Sequence, residues 1–148
     1  SGKELITRKI YKNSKRSKGP FVILNGALLD AKKYELELFG EEKIDGSIVY
    51  GALEKASRGV LLIDEVTEIP LETQSKILRV VIDQKFKRLN SDHDIKVDVR
   101  IICCSSRDME REIKNGNFRE DLYHRLNVFN IKKTICPIIF TCSLIGNS

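Results

Sequence analysis

No stretch of this 148-residue chain approaches the roughly 20 consecutive apolar residues of a membrane span. No apolar region follows the opening Ser1 to Glu4, so a secretory leader is not expected either. The four cysteines form no CxxC pair: Cys103 and Cys104 are adjacent on an expected strand and point to opposite faces, and Cys136 and Cys142 stand six apart. That usage argues against zinc and fits a reducing, cytoplasmic compartment. His93 and His124 lack any metal-ligand spacing and read as surface residues. What is present belongs to a soluble globular chain, with 41% hydrophobic and 32% charged residues. The length suits one domain or part of one, able to bury about two-thirds of its unfolded surface. The net charge of +5 would suit an anionic partner, nucleotide or nucleic acid, but the lysines sit in one loop and on helix faces, the pattern of a solvated surface.

The chain is best arranged around GVLLIDE, residues 59–65. Four consecutive apolar residues, Val60 to Ile63, are too few and too β-branched for a helix and read as a buried strand of a parallel sheet. Asp64 and Glu65 follow at the edge where open α/β sheets bind ligands, the layout of a Walker B motif, in which carboxylates hold a metal and polarise a water. Acids also occur at ordinary solvated strand ends, so the surroundings must decide.

Residues 3–12 carry Leu5, Ile6 and Ile10 at helical spacing, and 13–19 form a polar basic loop. Pro20 introduces a second buried strand over 21–24, with Asn25 at its end. A short helix is expected over 34–39, stopped by Gly40, then a loop over 41–50 and a short helix over 52–56. After Glu65, Pro70 opens a helix that ends near Asp83, with Ile77, Leu78, Val81 and Ile82 as its apolar stripe. A brief extended piece near 86–89, a turn over 90–94 and a third buried strand over 97–104 follow, with Ser105 and Ser106 at its exit. Helices are expected over 109–114 and 120–126 and a last strand over 128–131. Alternating strands and helices predict an α/β fold, a parallel sheet with helices on both faces.

The runs GVLLIDEVTEIPLETQSKILRVVIDQKFKRL and VDVRIICCSSRDMEREIKNGNFREDLYHRLNVF, with PFVILNGA and ELFG upstream, resemble the central AAA+ ATPase domain of sigma-54-dependent transcriptional activators, the NtrC family of response regulators, and within it the NtrX-like branch. The resemblance covers residues 1–131 and implies a three-layer P-loop core with a mostly parallel sheet. It implies ATP and magnesium as cofactors. Ser1, Gly2, Lys3 and Glu4 match the end of the family's Walker A motif, whose amides cradle phosphates while the lysine reaches the β and γ phosphates. Asp64 matches the acid that holds the magnesium shell through water, and Glu65 the carboxylate that activates the attacking water. Asn25 matches the asparagine that pairs with this glutamate. Ser106 stands where the family more often has the sensor I asparagine, with a shorter reach. Arg119 and Arg125, in FREDLYHRL, match arginine fingers offered to a neighbouring subunit of a ring homo-oligomer. Arg125 also lies four residues after Asp121 and could form a simple helical ion pair.

Departures from the family narrow what the resemblance implies. The GAFTGA loop that contacts the sigma factor is absent; EEKIDGSIVYGALEKA stands in its place, which puts contact with sigma-54 polymerase in doubt. The family's first strand precedes Walker A and is expected between the strands at 60–63 and 101–104. Without it, two rows of buried N–H and C=O groups would lie unpaired, at about 1–3 kcal/mol each against a net stability of about 5–15 kcal/mol. Residues 132–148, KKTICPIIFTCSLIGNS, match neither the family's proline- and arginine-rich segment nor its helical lid, as a frame-shifted tail would. On these grounds the chain is expected to be a truncated ATPase core with impaired turnover and no DNA-binding domain. The alternatives are a non-enzymatic remnant that assembles with other AAA+ subunits through the Arg119 and Arg125 face, and a basic module that binds nucleic acid through Lys12 to Lys18.

Overall fold

The structure, a computed structural model, describes residues 2–27, 29–126 and 138–143. Ser1 and the strand expected over 128–131 lie outside the described residues. Its centre is a four-stranded sheet in the order β1 (Phe21–Asn25), β4 (Val60–Asp64), β7 (Arg100–Ser105), β8 (Ile138–Ser143). The first three strands are parallel, and β8 runs antiparallel along the outer edge of β7. Two short antiparallel hairpins lie outside this sheet: β2 (Gly40–Glu42) with β3 (Ile48–Tyr50), and β5 (Lys85–Lys87) with β6 (Asp94–Lys96).

Strict alternation along the two central strands separates two hydrophobic layers. Leu61 and Ile63 of β4, with Ile101 and Cys103 of β7, face a large core completed by α2 (Ala31–Phe39), α3 (Ala52–Lys55), α4 (Leu71–Asp83), α5 (Met109–Lys114) and α6 (Glu120–Leu126). Val60, Leu62, Ile102 and Cys104 face the other way, where α1 (Gly2–Lys12) covers them with Ile6, Ile10 and Tyr11. The two cysteines therefore lie on opposite faces, as their adjacency predicts. Full burial of Val60, Leu61, Leu62 and Ile63 contributes about 1.5–3 kcal/mol each, which makes this strand the hydrophobic axis of the fold.

Several expectations are corrected. β4 and β7 pair directly, in the register Val60 with Arg100 through Ile63 with Cys103, so no strand is missing between them and no rows of unpaired groups exist there. Both strands bury apolar side chains on both faces, and direct pairing satisfies the backbone between them. β1 is an edge strand rather than a fully buried one, with Ile23 exposed. The loop expected over 41–50 is the β2–β3 hairpin. Its turn is closed by Lys43 N–H donating to Ser47 O, by Asp45 Oδ1 accepting from the N–H and hydroxyl of Ser47, and by Gly46 at φ 85°. This is Asp-Gly turn chemistry, which period counting overlooks. Strand β7 starts at Arg100 rather than Val97, because residues 94–96 are taken by β6. The stripe of α4 centres on Thr73, Ile77, Val80 and Val81, leaving Ile82 half exposed. On α1 it is Ile6 and Ile10 that face the sheet, while Leu5 is exposed.

Close backbone approach ties the starts of β1 and β4. A Cβ on Gly59 would fall 1.9 Å from the Pro20 carbonyl oxygen, whose acceptor role for Val60 N–H at 2.9 Å fixes the first rung. Gly59→Ala should therefore destabilise the chain by about 1–3 kcal/mol through forced separation of these strands. Urea unfolding checks this, and a midpoint equal to that of the parent chain would contradict the proximity.

Candidate active site

Because β1, β4 and β7 are parallel, their carboxyl ends share one edge, the position where open α/β sheets place ligands. Asn25 lies opposite Asp64 in the β1–β4 register, and Ser106 leaves the neighbouring end of β7. After Asp64 the chain turns abruptly: Glu65 has φ 54° and ψ 57°, a left-handed conformation that costs a non-glycine residue about 1–3 kcal/mol. The turn starts a short 3-10 helix over Val66–Glu68. Asp64 Oδ1 accepts the Glu65 N–H at 3.0 Å, which steadies it.

That strained geometry aims the Glu65 carboxylate sideways toward β7. Its Oε2 accepts the Ser106 hydroxyl at 2.9 Å and the Ser106 N–H at 3.3 Å. A serine is long enough here because its strand is the immediate neighbour of β4. Asn25 closes its own turn, with Oδ1 accepting the Ala27 N–H at 3.0 Å. Behind that turn, a Cβ on Gly26 would fall 2.2 Å from the Tyr34 ring, so the tyrosine backs the Asn25 corner. Tyr34 is fully buried, its hydroxyl has no hydrogen-bond partner among the described residues, and burial, with a smaller contribution from Cys103, pushes its phenol up.

The start of α1 points to the same edge. Its last turn is held at the opposite end of the sheet, where the Tyr11 hydroxyl donates to the Gly19 carbonyl just before β1 begins. Eleven residues rise about 16 Å, similar to a five-residue strand, so Gly2, Lys3 and Glu4 stand at the carboxyl edge. Glu4 accepts from Arg8 at 2.9 and 3.1 Å within the helix.

Arg119 and Arg125 lie apart from this cluster, flanking α6. Arg119 makes a two-pronged contact with Asp121, at 3.0 and 2.8 Å, which raises the guanidinium pKa and holds the Asp121 carboxyl below its ordinary range. Arg125 is exposed in the last turn of α6 and makes no pair with Asp121 among the described residues, so the helical ion pair is not formed. Residue spacing does not reveal what fixes this arginine segment. It is Gln74, fully buried on α4: Nε2 donates to the carbonyls of Ile69 at 2.8 Å and Asn117 at 3.0 Å, and Oε1 accepts the Arg119 N–H at 2.9 Å. The signal available in the sequence is a glutamine on the face that α4 turns to the core.

Asp64 and Glu65 present hard oxygen donors at this edge, the donor type that suits magnesium with most of its shell left to water and phosphate. Among the described residues no group of three or more His, Cys, Asp or Glu could hold a metal alone. No helix among them is long and apolar enough to cross a membrane.

Residues 1–132 match the family described as the Sigma-54 interaction domain. The chain is 48% identical over 133 residues to the nitrogen assimilation regulatory protein NtrX of Azorhizobium caulinodans, covering 89% of this chain and 29% of that protein. It is 46% identical over 135 residues to the regulatory protein AtoC of Escherichia coli, covering 88% and 29%. Among solved structures, NtrX from Brucella abortus superposes with a TM-score of 0.83 at 49% identity, over 86% of this chain and 29% of that one, and its complex with ATP with a TM-score of 0.79 at 49%, over the same shares. The chain thus spans under a third of the length of these relatives.

Replacing Gln74 by alanine should take the glutamine partner from the buried Ile69 carbonyl, the partly buried Asn117 carbonyl and the Arg119 N–H, and lower stability by at least about 2 kcal/mol. Chemical denaturation checks this, and a loss under about 0.5 kcal/mol, the size of an ordinary surface change, would contradict the bridging role.

Proposed function

Because the chain belongs to the Sigma-54 interaction domain family, we propose that it is the nucleotide-hydrolysing core of an NtrX-like response regulator, in which ATP hydrolysis is coupled to control of transcription. Residues 1–131 form the AAA+ unit of this reading and 132–148 a tail outside it. The carrying observation is the Glu65 carboxylate, set on a strained turn at the sheet's carboxyl edge and held by Ser106. The ATP complex of the Brucella abortus relative supports nucleotide as the ligand.

Each residue has a task in this reading. The amides of Gly2, Lys3 and Glu4 at the start of α1, with Ser1 before them, face phosphate oxygens, where a helix N-terminus favours negative charge. Asp64 would hold a magnesium ion, which would supply neutralisation of phosphate charge. Glu65 takes the proton of the attacking water, while Ser106 fixes the carboxylate's direction and Asn25 is its second partner on the β1 side. Arg119 and Arg125 act on the nucleotide of a neighbouring subunit in a ring. Arg119 must first leave Asp121, so a single subunit turns over slowly: an arginine finger contributes about 10³–10⁵ in rate. The β2–β3 hairpin stands where the GAFTGA loop is expected from the family resemblance and lacks that sequence, so polymerase remodelling is not assigned to it. A second reading, a non-enzymatic assembly module, is favoured by the same Arg119–Asp121 contact, which holds one of the two arginines of that docking face within its own subunit.

Magnesium-dependent ATP turnover, measured at chain concentrations high enough for self-association, separates the two. Glu65→Gln should lower it by about 10²-fold or more while fluorescent-nucleotide binding persists, and Ser106→Ala should lower it by about 10-fold through a misdirected carboxylate. Turnover unchanged by Glu65→Gln would overturn the assignment, and nucleotide binding with no turnover at any concentration would favour the assembly module.

A further inference from the structure

The opposite edge of the sheet, where β4 and β7 begin, has no task in the reading above, and it is strongly cationic. Lys15 and Arg16 from the loop after α1, Arg58 just before β4, and Arg100 at the start of β7 line a cavity of about 510 Å³ there. A single carboxylate, Asp98, lines it with them. Asp98 is already occupied by Arg16, whose Nη2 stands 2.5 Å from Oδ1 and whose Nη1 donates to the Asp98 carbonyl at 3.2 Å. The same carbonyl accepts the Arg58 N–H at 2.6 Å. That bond holds Arg58 at φ 67°, in the left-handed region, so the loop bearing this exposed arginine is fixed in place. Neither Arg58 nor Arg100 has a carboxylate within ion-pair distance among the described residues.

Arg100 is half-buried, and burial, with the Arg16 guanidinium beside it, pushes its own guanidinium pKa down. Like charges gathered in a concave, partly dry site repel one another, and an anion placed among them relieves that repulsion. Planar guanidinium forks match phosphate oxygens two at a time, which suits a cavity lined by three arginines. The open concave form favours a small ligand, since a nucleic-acid backbone needs an extended stripe of contacts rather than one cavity.

We propose that this cavity is a binding site for the phosphate group of a small anionic ligand, with Arg58 and Arg100 as its main donors, Arg16 fixed by Asp98 as its wall, and Lys15 at its rim. It lies about 15 Å from Glu65, the length of a five-residue strand, and so is separate from the nucleotide edge. Of the basic loop at 12–18, this assigns Lys15 and Arg16 to a small phosphate ligand.

Isothermal titration of pyrophosphate into the 148-residue chain, against sodium chloride at matched ionic strength, tests the proposal. Saturable binding at this cavity is expected beside any at the nucleotide edge, and titration of Lys3→Ala isolates it as one site. Its affinity should fall at least about tenfold in Arg58→Asn, which tolerates the left-handed backbone, and by a similar factor in Arg100→Gln, the loss of one charge-assisted contact. It should persist in Lys3→Ala, which alters only the nucleotide edge. Circular dichroism confirms that each variant is folded, and exposed Arg58 and Lys15 provide substitutions that leave the core intact. No heat beyond that of chloride, affinity unchanged in Arg58→Asn, or saturable binding only of duplex DNA would overturn it. Loss in Lys3→Ala instead would also overturn it, by locating the pyrophosphate at the nucleotide edge and leaving that reading standing.

Discussion

Direct parallel pairing of Val60–Asp64 with Arg100–Ser105 is the constraint on which the rest of the molecule depends. It creates two faces at once. The larger core forms on one side and the α1 contact on the other, because each strand alternates its apolar side chains between them. The same pairing sets both edges of the sheet. At the carboxyl end it brings Glu65 within reach of a residue as short as Ser106, and at the amino end it places Arg100 beside Arg58 and Arg16. A one-residue slip would reverse every side chain and take both edges apart.

Around this pairing, local strain and buried polar contacts do the aiming. Glu65 keeps a left-handed backbone that costs it stability, and the return is a carboxylate directed across to the next strand rather than along its own. Gln74 does the corresponding work at a distance. Its three backbone contacts join the end of the 3-10 turn after Glu65 to the segment that carries Arg119, so the Glu65 turn and the arginine face share one buried support. Gln74 is fully buried beside the core, where its polar contacts are shielded from water, whereas the Glu65–Ser106 contact lies open at the sheet edge.

Much of this was legible from residue order. The run VLLI is both the strand and the hydrophobic axis, the helices over Met109–Lys114 and Glu120–Leu126 fall where their period places them, and Cys103 and Cys104 divide between the faces as adjacency requires. What escaped has a physical reason in each case. The β2–β3 hairpin is held by Asp45 and Gly46 turn chemistry that carries no hydrophobic period. The lateral order of strands depends on contacts distant in sequence, so the neighbour of β4 could be placed wrongly even with every strand correctly found. At the site, Asp64 and Glu65 announce themselves as acids after an apolar run, whereas the Ser106 contact and the Gln74 bridge exist only once the sheet is assembled. Arg119 shows the same limit: its residue type suggests a finger, while its contact with Asp121 shows the arm held in its own subunit.

The most direct measurement is the pattern of cross-strand nuclear Overhauser contacts in the isotopically labelled chain. The account predicts backbone contacts in the parallel register Val60 with Arg100, Leu61 with Ile101, Leu62 with Ile102 and Ile63 with Cys103, continuing to proximity of Glu65 and Ser106. Contacts from Leu61 or Leu62 to a strand other than β1 or β7, or the absence of contact between Glu65 and Ser106, would contradict it.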